Sequence, residues 1–341
     1  MKKSEKTTLV IGGGPAGIEA ALRIGQAGCN VVIAEKQPAL GGLPRSYQSS
    51  FPKWEDPAVI MNQKIAMMRS CQQIEIRTKT EVISGKRTGW DFTFELSADG
   101  KTKSLNADAV VLATGFDLLD CSVYGEYGYG IYPNVVTSLE FESRLKAWMA
   151  GEKDFPGAVA FIQCVGSRDR SKGRPYCSKI CCMYTAKQAG LFKALRPGAH
   201  CYVFYIDIRA AGKNYEEYVR SVIEEKKVRY VRGRPGKVLP SGERLLVRAE
   251  DTLMGIPVEV ETDMVVLAPA VIACRETRTL AEGLHLPVDQ YGFPELPTGV
   301  PTGIADGVFI AGGCNFAANI DEAILQGAAA ATEVVAYLNK I

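Results

Sequence analysis

The chain has 341 residues, room for about two domains. Forty Lys and Arg against thirty-eight Asp and Glu leave +2, with 47% hydrophobic and 23% charged residues. That balance excludes the single-sign field of a nucleic-acid or anionic-lipid binder and fits an ordinary globular composition. No apolar run reaches the ~18 residues of a membrane helix. The short polar start, Met1–Thr8, predicts no secretory leader, so a cytoplasmic protein is expected. With only two histidines, His200 and His285, a His-rich metal site is not expected; ten cysteines, four of them between Cys164 and Cys182, point elsewhere.

In chain order, Thr7–Ile11 predicts a strand, Gly12-Gly13-Gly14-Pro15-Ala16-Gly17 a turn, Ile18–Gln26 a helix and Asn30–Ala34 a second strand ending at Glu35. This is one strand–turn–helix–strand unit. The run Ala109–Gly115 is apolar throughout and predicts a buried parallel strand. A second unit opens at Gly157. Its expected elements are strand Ala158–Gln163, helix Ala186–Leu195, strand Cys201–Asp207, helix Tyr215–Lys227, and strands Val228–Val231, Arg244–Ala249, Pro257–Glu261 and Met264–Ala268. Asp263–Ala268 echoes Asp108–Ala113, a weak internal repeat. The expected organisation is two similar α/β domains, the second inserted in the first: residues 1–150 with 291–341, and residues 157–284. Linkers are placed near Gly151–Pro156 and Leu284–Gly299. A closing strand, Gly307–Ala311, and an Ala-rich helix, Ile320–Asn339, return to the first domain.

Gly12, Gly14 and Gly17 form GxGxxG. The first glycine permits the tight turn, the second lets a pyrophosphate approach the backbone, and the third lets helix and strand close. The amides of the following helix turn, around Pro15 and Ala16, face the phosphates, and Glu35 stands where an acid accepts from a ribose.

The run Glu35-Lys36 through Gly42-Leu43, then Ala113-Thr114-Gly115 and Gly307–Gly313, resembles the two-dinucleotide-binding flavoproteins, the class of thioredoxin reductase. The resemblance implies FAD, with Gly312 and Gly313 at the flavin tail and the helix from Ile320 aimed at its pyrimidine edge. That superfamily usually has Asp after the last Ala-Gly; here Gly313 and Cys314 stand there, which leaves the ribityl chain to backbone amides. Cys314 is read as a small residue packed at a strand end.

In such flavoproteins the inserted domain opens with its own glycine loop for NAD(P)H. Here the strand Ala158–Gln163 runs into a loop bearing Cys164, Cys177, Cys181 and Cys182, spaced C-x12-C-x3-C-C. Four thiolates suit an iron–sulfur cluster; zinc, a redox dithiol and inert packed thiols are the alternatives. Zinc favours paired C-x2–4-C knuckles, and no C-x-x-C is present. Arg168, Arg170, Lys172, Arg174 and Lys179 crowd the same loop, as cluster tuning, partner docking or a solvated face. Tyr124–Tyr132 reads as a loop over a flavin or a subunit contact.

Cys164-Val165-Gly166-Ser167-Arg168 followed by Pro175–Tyr184 is similar to the A-type subunit of heterodisulfide reductase, in a short form like that of the heterodisulfide-reductase-like complex of sulfur oxidisers. The resemblance implies a [4Fe–4S] cluster held by Cys164, Cys177, Cys181 and Cys182. It implies electron transfer between FAD and iron–sulfur partner subunits, with a homodimer expected. Lys187, five residues past Cys182, is either a flavin-tuning residue or a solvated helix lysine. A stand-alone NAD(P)H-dependent disulfide or ferredoxin reductase and a non-catalytic flavin scaffold remain the rival functions.

Overall fold

The computed structural model describes residues 6–89 and 91–341; most of the polar start read as leaderless lies outside them. Two compact units emerge, one of Met1–Arg45, Pro57–Asp117 and Ile272–Ile341, the other of Ser46–Asp56 and Leu118–Val271. Two of the crossings fall at 117/118 and 271/272, away from the expected linkers near Gly151–Pro156 and Leu284–Gly299. The second crossing gives the helix Arg275–Leu284 to the first unit, and 46–56 belongs to the second.

The first unit is built on a six-stranded sheet. Thr7–Ile11 lies between Asn30–Ala34 and Ala109–Leu112, with Ile74–Arg77 beyond one and Val308–Ile310 beyond the other, all parallel; Gly303–Ala305 closes the edge antiparallel. Successive side chains point to opposite faces, and both faces are apolar, so both need cover. Val10, Ile33 and Val111 pack under the helices, with Ile18, Ile24 and Val334. Leu9, Ile11 and Leu112 pack on the other face with Phe92 and Phe94 of an antiparallel meander, residues 80–107.

The second unit repeats the plan. Ala158–Val165 is central in a parallel sheet whose order is Arg229–Arg232, His200–Tyr205, Ala158–Val165, Met264–Pro269, Val135–Thr137. Phe141, Phe161 and Phe192 meet edge-on in its core. It too has an antiparallel meander, residues 237–262, directly before the strand that echoes Ala109–Leu112. The internal repeat therefore extends beyond six matching residues to a whole meander-plus-strand unit.

Tyr124 and Tyr127, expected over a flavin or at a subunit contact, are buried in the second unit and stack at 6.1 Å. The Tyr127 hydroxyl donates to the Pro235 carbonyl at 3.1 Å and that of Tyr124 to Asp169 at 2.8 Å. Both rings are fixed inside the fold rather than presented outward. No helix among the described residues is long and apolar enough to cross a membrane.

Candidate functional site

The glycine turn sits between the first parallel strand and the helix Pro15–Gln26, at the point where neighbouring strands diverge to either side. In open parallel sheets this is where ligands bind. Gly12 holds φ +105°, and a Cβ there would stand 2.3 Å from the Ala113 carbonyl oxygen. A Cβ on Gly17 would stand 1.9 Å from the Gly12 oxygen, so both positions require glycine. Gly14 differs: nothing lies within 4 Å of its Cβ position. Gly14 is the N-cap, without a side-chain cap, Pro15 starts the helix, and no acid lies in its first turn. The helix thus presents bare amides and a positive dipole end to an open space, the chemistry of a phosphate cradle.

The other expected residues of this site line up around it. Glu35 is buried; its carboxylate accepts the Gly13 amide at 2.6 Å and the Gln37 amide at 2.7 Å, which locks the turn. Gly42, at φ +60°, brings its Cβ position to 3.0 Å from the Gly14 Cα, with Leu43 directly after it. Ala113 is the wall against Gly12 and Gly17. The Thr114 hydroxyl is hydrogen-bonded to that of Thr277, and Gly115, at φ +77°, leaves open space. The Gly312 amide donates to Gln326 at 2.7 Å, and a Cβ on Gly313 would strike Phe116. Lys36 is turned away from the turn: exposed, it pairs with Glu276 at 2.7 Å, beside a cleft of ≈ 470 Å³ that Val82, Asp117 and Cys274 also line. The helix begins at Ile320 as expected, yet Asn319 and Glu322 cap it reciprocally, and Asp321 and Glu322 oppose its positive end. Cys314 is fully buried, its thiol donating to the Leu112 carbonyl at 3.0 Å, and burial pushes it up to about 12. It is packing, as expected.

In the second unit, the place that the glycine turn holds in the first is taken by the cysteine loop. The strand is irregular between Ile162 and Val165, and Cys164 there adopts φ +60°; Arg168 and Lys179, on the same loop, hold +54° and +62°. Left-handed backbone at non-glycine residues is uncommon and gathers at functional sites. Cys181 and Cys182 open the helix Cys181–Leu195, so the helix begins five residues before the expected Ala186. Cys164, Cys181 and Cys182 form one buried cluster with Ala268. The Cys181 thiol lies against both others. Its contact holds the Cys164 thiol down to about 7 against burial, helped by Arg168, Ser167 and Arg234. Cys182 is lowered the same way, while Cys181 is raised and keeps the proton. Cys177 is half-buried, and its sulfur accepts the Lys179 amide at 3.3 Å.

Among the described residues no three His, Cys, Asp or Glu side chains surround a metal-ion position; the thiols lie on one another instead. The donor set nevertheless fits a thiolate-bound group. Two of the four thiols are acidified, and backbone amides of Lys179 and Arg209 already donate to sulfur, the latter to Cys182 at 3.3 Å. Sequence reasoning passed over Arg234, whose guanidinium donates to the Cys164 carbonyl at 3.0 Å, and Gln163, whose carbonyl accepts from Cys182 at 3.6 Å. An amide in the apolar run Ala158–Val165 was the available signal.

Lys187 is not the solvated helix lysine of one reading: with Glu142 it forms a buried ion pair, 4.7 Å from the Tyr47 ring centre. Gln188 donates to the same carboxylate at 2.9 Å. Arg168 pairs with Asp207 at 2.7 Å, so part of the loop's basic charge is internally balanced.

A glycine cradle on one parallel sheet, and a second parallel sheet of the same plan, define a two-unit α/β fold. Thioredoxin reductases share it: that of T. acidophilum superposes with a TM-score of 0.70 at 19% identity over 98% of this chain and 99% of its own. That of Lactococcus lactis gives 0.69 at 15% over 99% and 100%. A family model described as pyridine nucleotide-disulphide oxidoreductase matches residues 6–147. The resemblance to the A-type subunit of heterodisulfide reductase holds along nearly the whole sequence. The chain is 31% identical to the A-type iron-sulfur subunit of the CoB–CoM heterodisulfide reductase of Methanocaldococcus jannaschii, over 97% of its length and 64% of the relative's. It is 30% identical to the A-type subunit of the H2/formate:CoB-CoM heterodisulfide, ferredoxin reductase of Methanococcus maripaludis, with the same coverage. The chain thus spans slightly less than two thirds of these relatives.

Proposed function

We propose that this chain is an oxidoreductase subunit that carries FAD on its first unit and a [4Fe–4S] cluster on Cys164, Cys177, Cys181 and Cys182. When bound, the flavin exchanges electron pairs and the cluster single electrons, so together they join a pair carrier to a one-electron chain. The amides of Gly14, Ala16 and Gly17, with Pro15 opening the helix between them, receive the pyrophosphate, and Glu35, already fixed by Gly13, is positioned to take a ribose hydroxyl. Thr114, Gly115, Gly312 and Gly313 border the flavin tail. The acidified thiols of Cys164 and Cys182 are the first to give up protons to a metal. The reading places the chain in a cytoplasmic complex of heterodisulfide-reductase type, in the short form of sulfur oxidisers, as a homodimer with iron–sulfur partner subunits; a thiol or disulfide sulfur compound is the remote substrate.

The observation that carries this reading is the substitution of an acidified cysteine cluster for a glycine cradle at the head of the second parallel sheet. Iron, acid-labile sulfide and flavin measured after anaerobic purification test it, with four irons and four sulfides per flavin expected. Zinc without sulfide would overturn the cluster. Rapid bleaching of the flavin by NADH or NADPH would favour a self-contained reductase, and a flavin inert to all reductants a scaffold.

A further inference from the structure

Three buried polar groups beside the cysteine loop bond to nothing: Gln163 Nε2, Ser167 Oγ and Arg168 Nη1. Each belongs to a side chain with another role or constraint. Gln163 is only 2% exposed on a strand buried at every position, and its Oε1 accepts from Cys182. Ser167 is fully buried and close enough to Cys164 to help acidify it, yet makes no hydrogen bond of good geometry. Arg168 spends its other arm on Asp207. A buried donor left unmade carries the full desolvation cost of that group. Of ten such atoms among the described residues, these three fall within six positions and around the cysteine sulfurs, which calls for an explanation.

The Cys182–Gln163 contact contains the explanation. A neutral Cys182 has one proton to share between the Gln163 carbonyl at 3.6 Å and the Asp207 carbonyl at 3.5 Å. A metal-bound Cys182 is a thiolate, has no proton to donate, and would face both carbonyls acceptor to acceptor. Turning the amide over by half a rotation, within the same volume, places the unsatisfied Nε2–H on the sulfur. That movement replaces the Gln163 carbonyl with a donor and satisfies the orphan Nε2, leaving the Asp207 carbonyl as the one acceptor at that sulfur. Ser167 and Arg168 stand ready to do the same on the Cys164 side.

We propose that Gln163 is a positioning residue that sets the reduction potential of the cysteine-bound cluster by donating its amide hydrogen to the Cys182 sulfur, with Ser167 and Arg168 as supporting donors. The inference rests on the cluster reading above. One-electron reduction adds one negative charge at the site and takes no proton from Gln163; donors aimed at sulfur stabilise that charge and raise the potential.

The test uses the full chain, purified anaerobically. Wild-type iron and sulfide come first: their absence overturns the cluster reading, independently of Gln163. With the cluster present, Gln163→Met (no donor, similar volume) and Gln163→Glu (same shape, no donor when ionised) are titrated by redox potentiometry followed by EPR. Both are expected to keep iron and sulfide and to shift the reduction equilibrium at least tenfold toward the oxidised form, about 59 mV for one electron. Ser167→Ala, which leaves the strand untouched, shifts it less in the same direction, and the flavin content is unchanged in all three. Potentials equal to wild type in iron-loaded variants overturn the inference. So does loss of iron from folded variants, which would make Gln163 an assembly residue.

Discussion

Lys187 and Glu142 meet inside the second unit with 3% and 1% of their side-chain surfaces exposed. Burial pushes the Lys187 ammonium toward losing its proton, and Glu142 opposes this. Removing one partner leaves the other charge stranded away from water. Lys187→Met is expected to lower the unfolding free energy by about 3–5 kcal/mol, and the double variant Lys187→Met/Glu142→Leu by much less. Urea unfolding followed by far-UV circular dichroism measures both; equal losses would mean that the pair is not coupled.

The glycine turn separates folding from ligand binding. Gly17→Ala puts a methyl group against the Gly12 oxygen and is expected to cost at least about 1–3 kcal/mol. Gly14→Ala meets no protein atom, so its unfolding midpoint should stay near wild type while flavin content falls. Thermal unfolding beside the flavin absorbance of the purified variants distinguishes the two. Full flavin retention in Gly14→Ala would move the phosphates elsewhere.

The first helix carries a buried acid of its own. Glu19 accepts Lys64 and Arg23, each at 2.5 Å. Burial alone would raise its carboxyl, but the two cations prevail and hold it below the usual glutamate range. Its folded pKa therefore lies under the unfolded one. The stability it contributes is complete above the unfolded value and is lost as the pH falls through the folded value. Glu19→Gln should flatten the fall in stability between about pH 5 and pH 3, read from urea midpoints across that range. An unaltered slope would assign acid sensitivity to other carboxylates.

Thiol reactivity should follow exposure and acidity. None of the ten cysteines is in a disulfide, Cys71 is half-exposed, and Cys314 is buried and pushed up to about 12. Iodoacetamide at about pH 8 is expected to label Cys71 in the native protein and Cys314 only after unfolding, since the thiolate is the reactive form. Peptide mass spectrometry decides. Native labelling of Cys314 would contradict its place at the strand end.

Much of this arrangement was legible in local patterns. Thr7–Ile11 and Asn30–Ala34 carry continuous apolar runs that only a strand covered on both faces needs, and the glycines between them have one geometry to satisfy. Other signals were present and unread. Thr80–Thr88 alternates between core and solvent, and Thr137 with Glu140 is a capping box opening the helix Ser138–Met149. The helix Pro57–Arg69 has only a weak apolar stripe, little for periodicity to find. The fate of Lys187 was not legible at all. Its partner lies forty-five residues away on another helix, and no spacing rule links the two. The Lys36–Glu276 pair, 240 residues apart, escaped for the same reason.

The left-handed bend at Cys164 also governs how this loop can change over time. Valine, isoleucine and threonine strain badly in such a bend, whereas glycine, asparagine and aspartate endure it. A descendant that replaced Cys164 without refolding the loop would therefore favour one of those three over a β-branched residue at position 164. Such a scar would let the altered loop be recognised by its backbone.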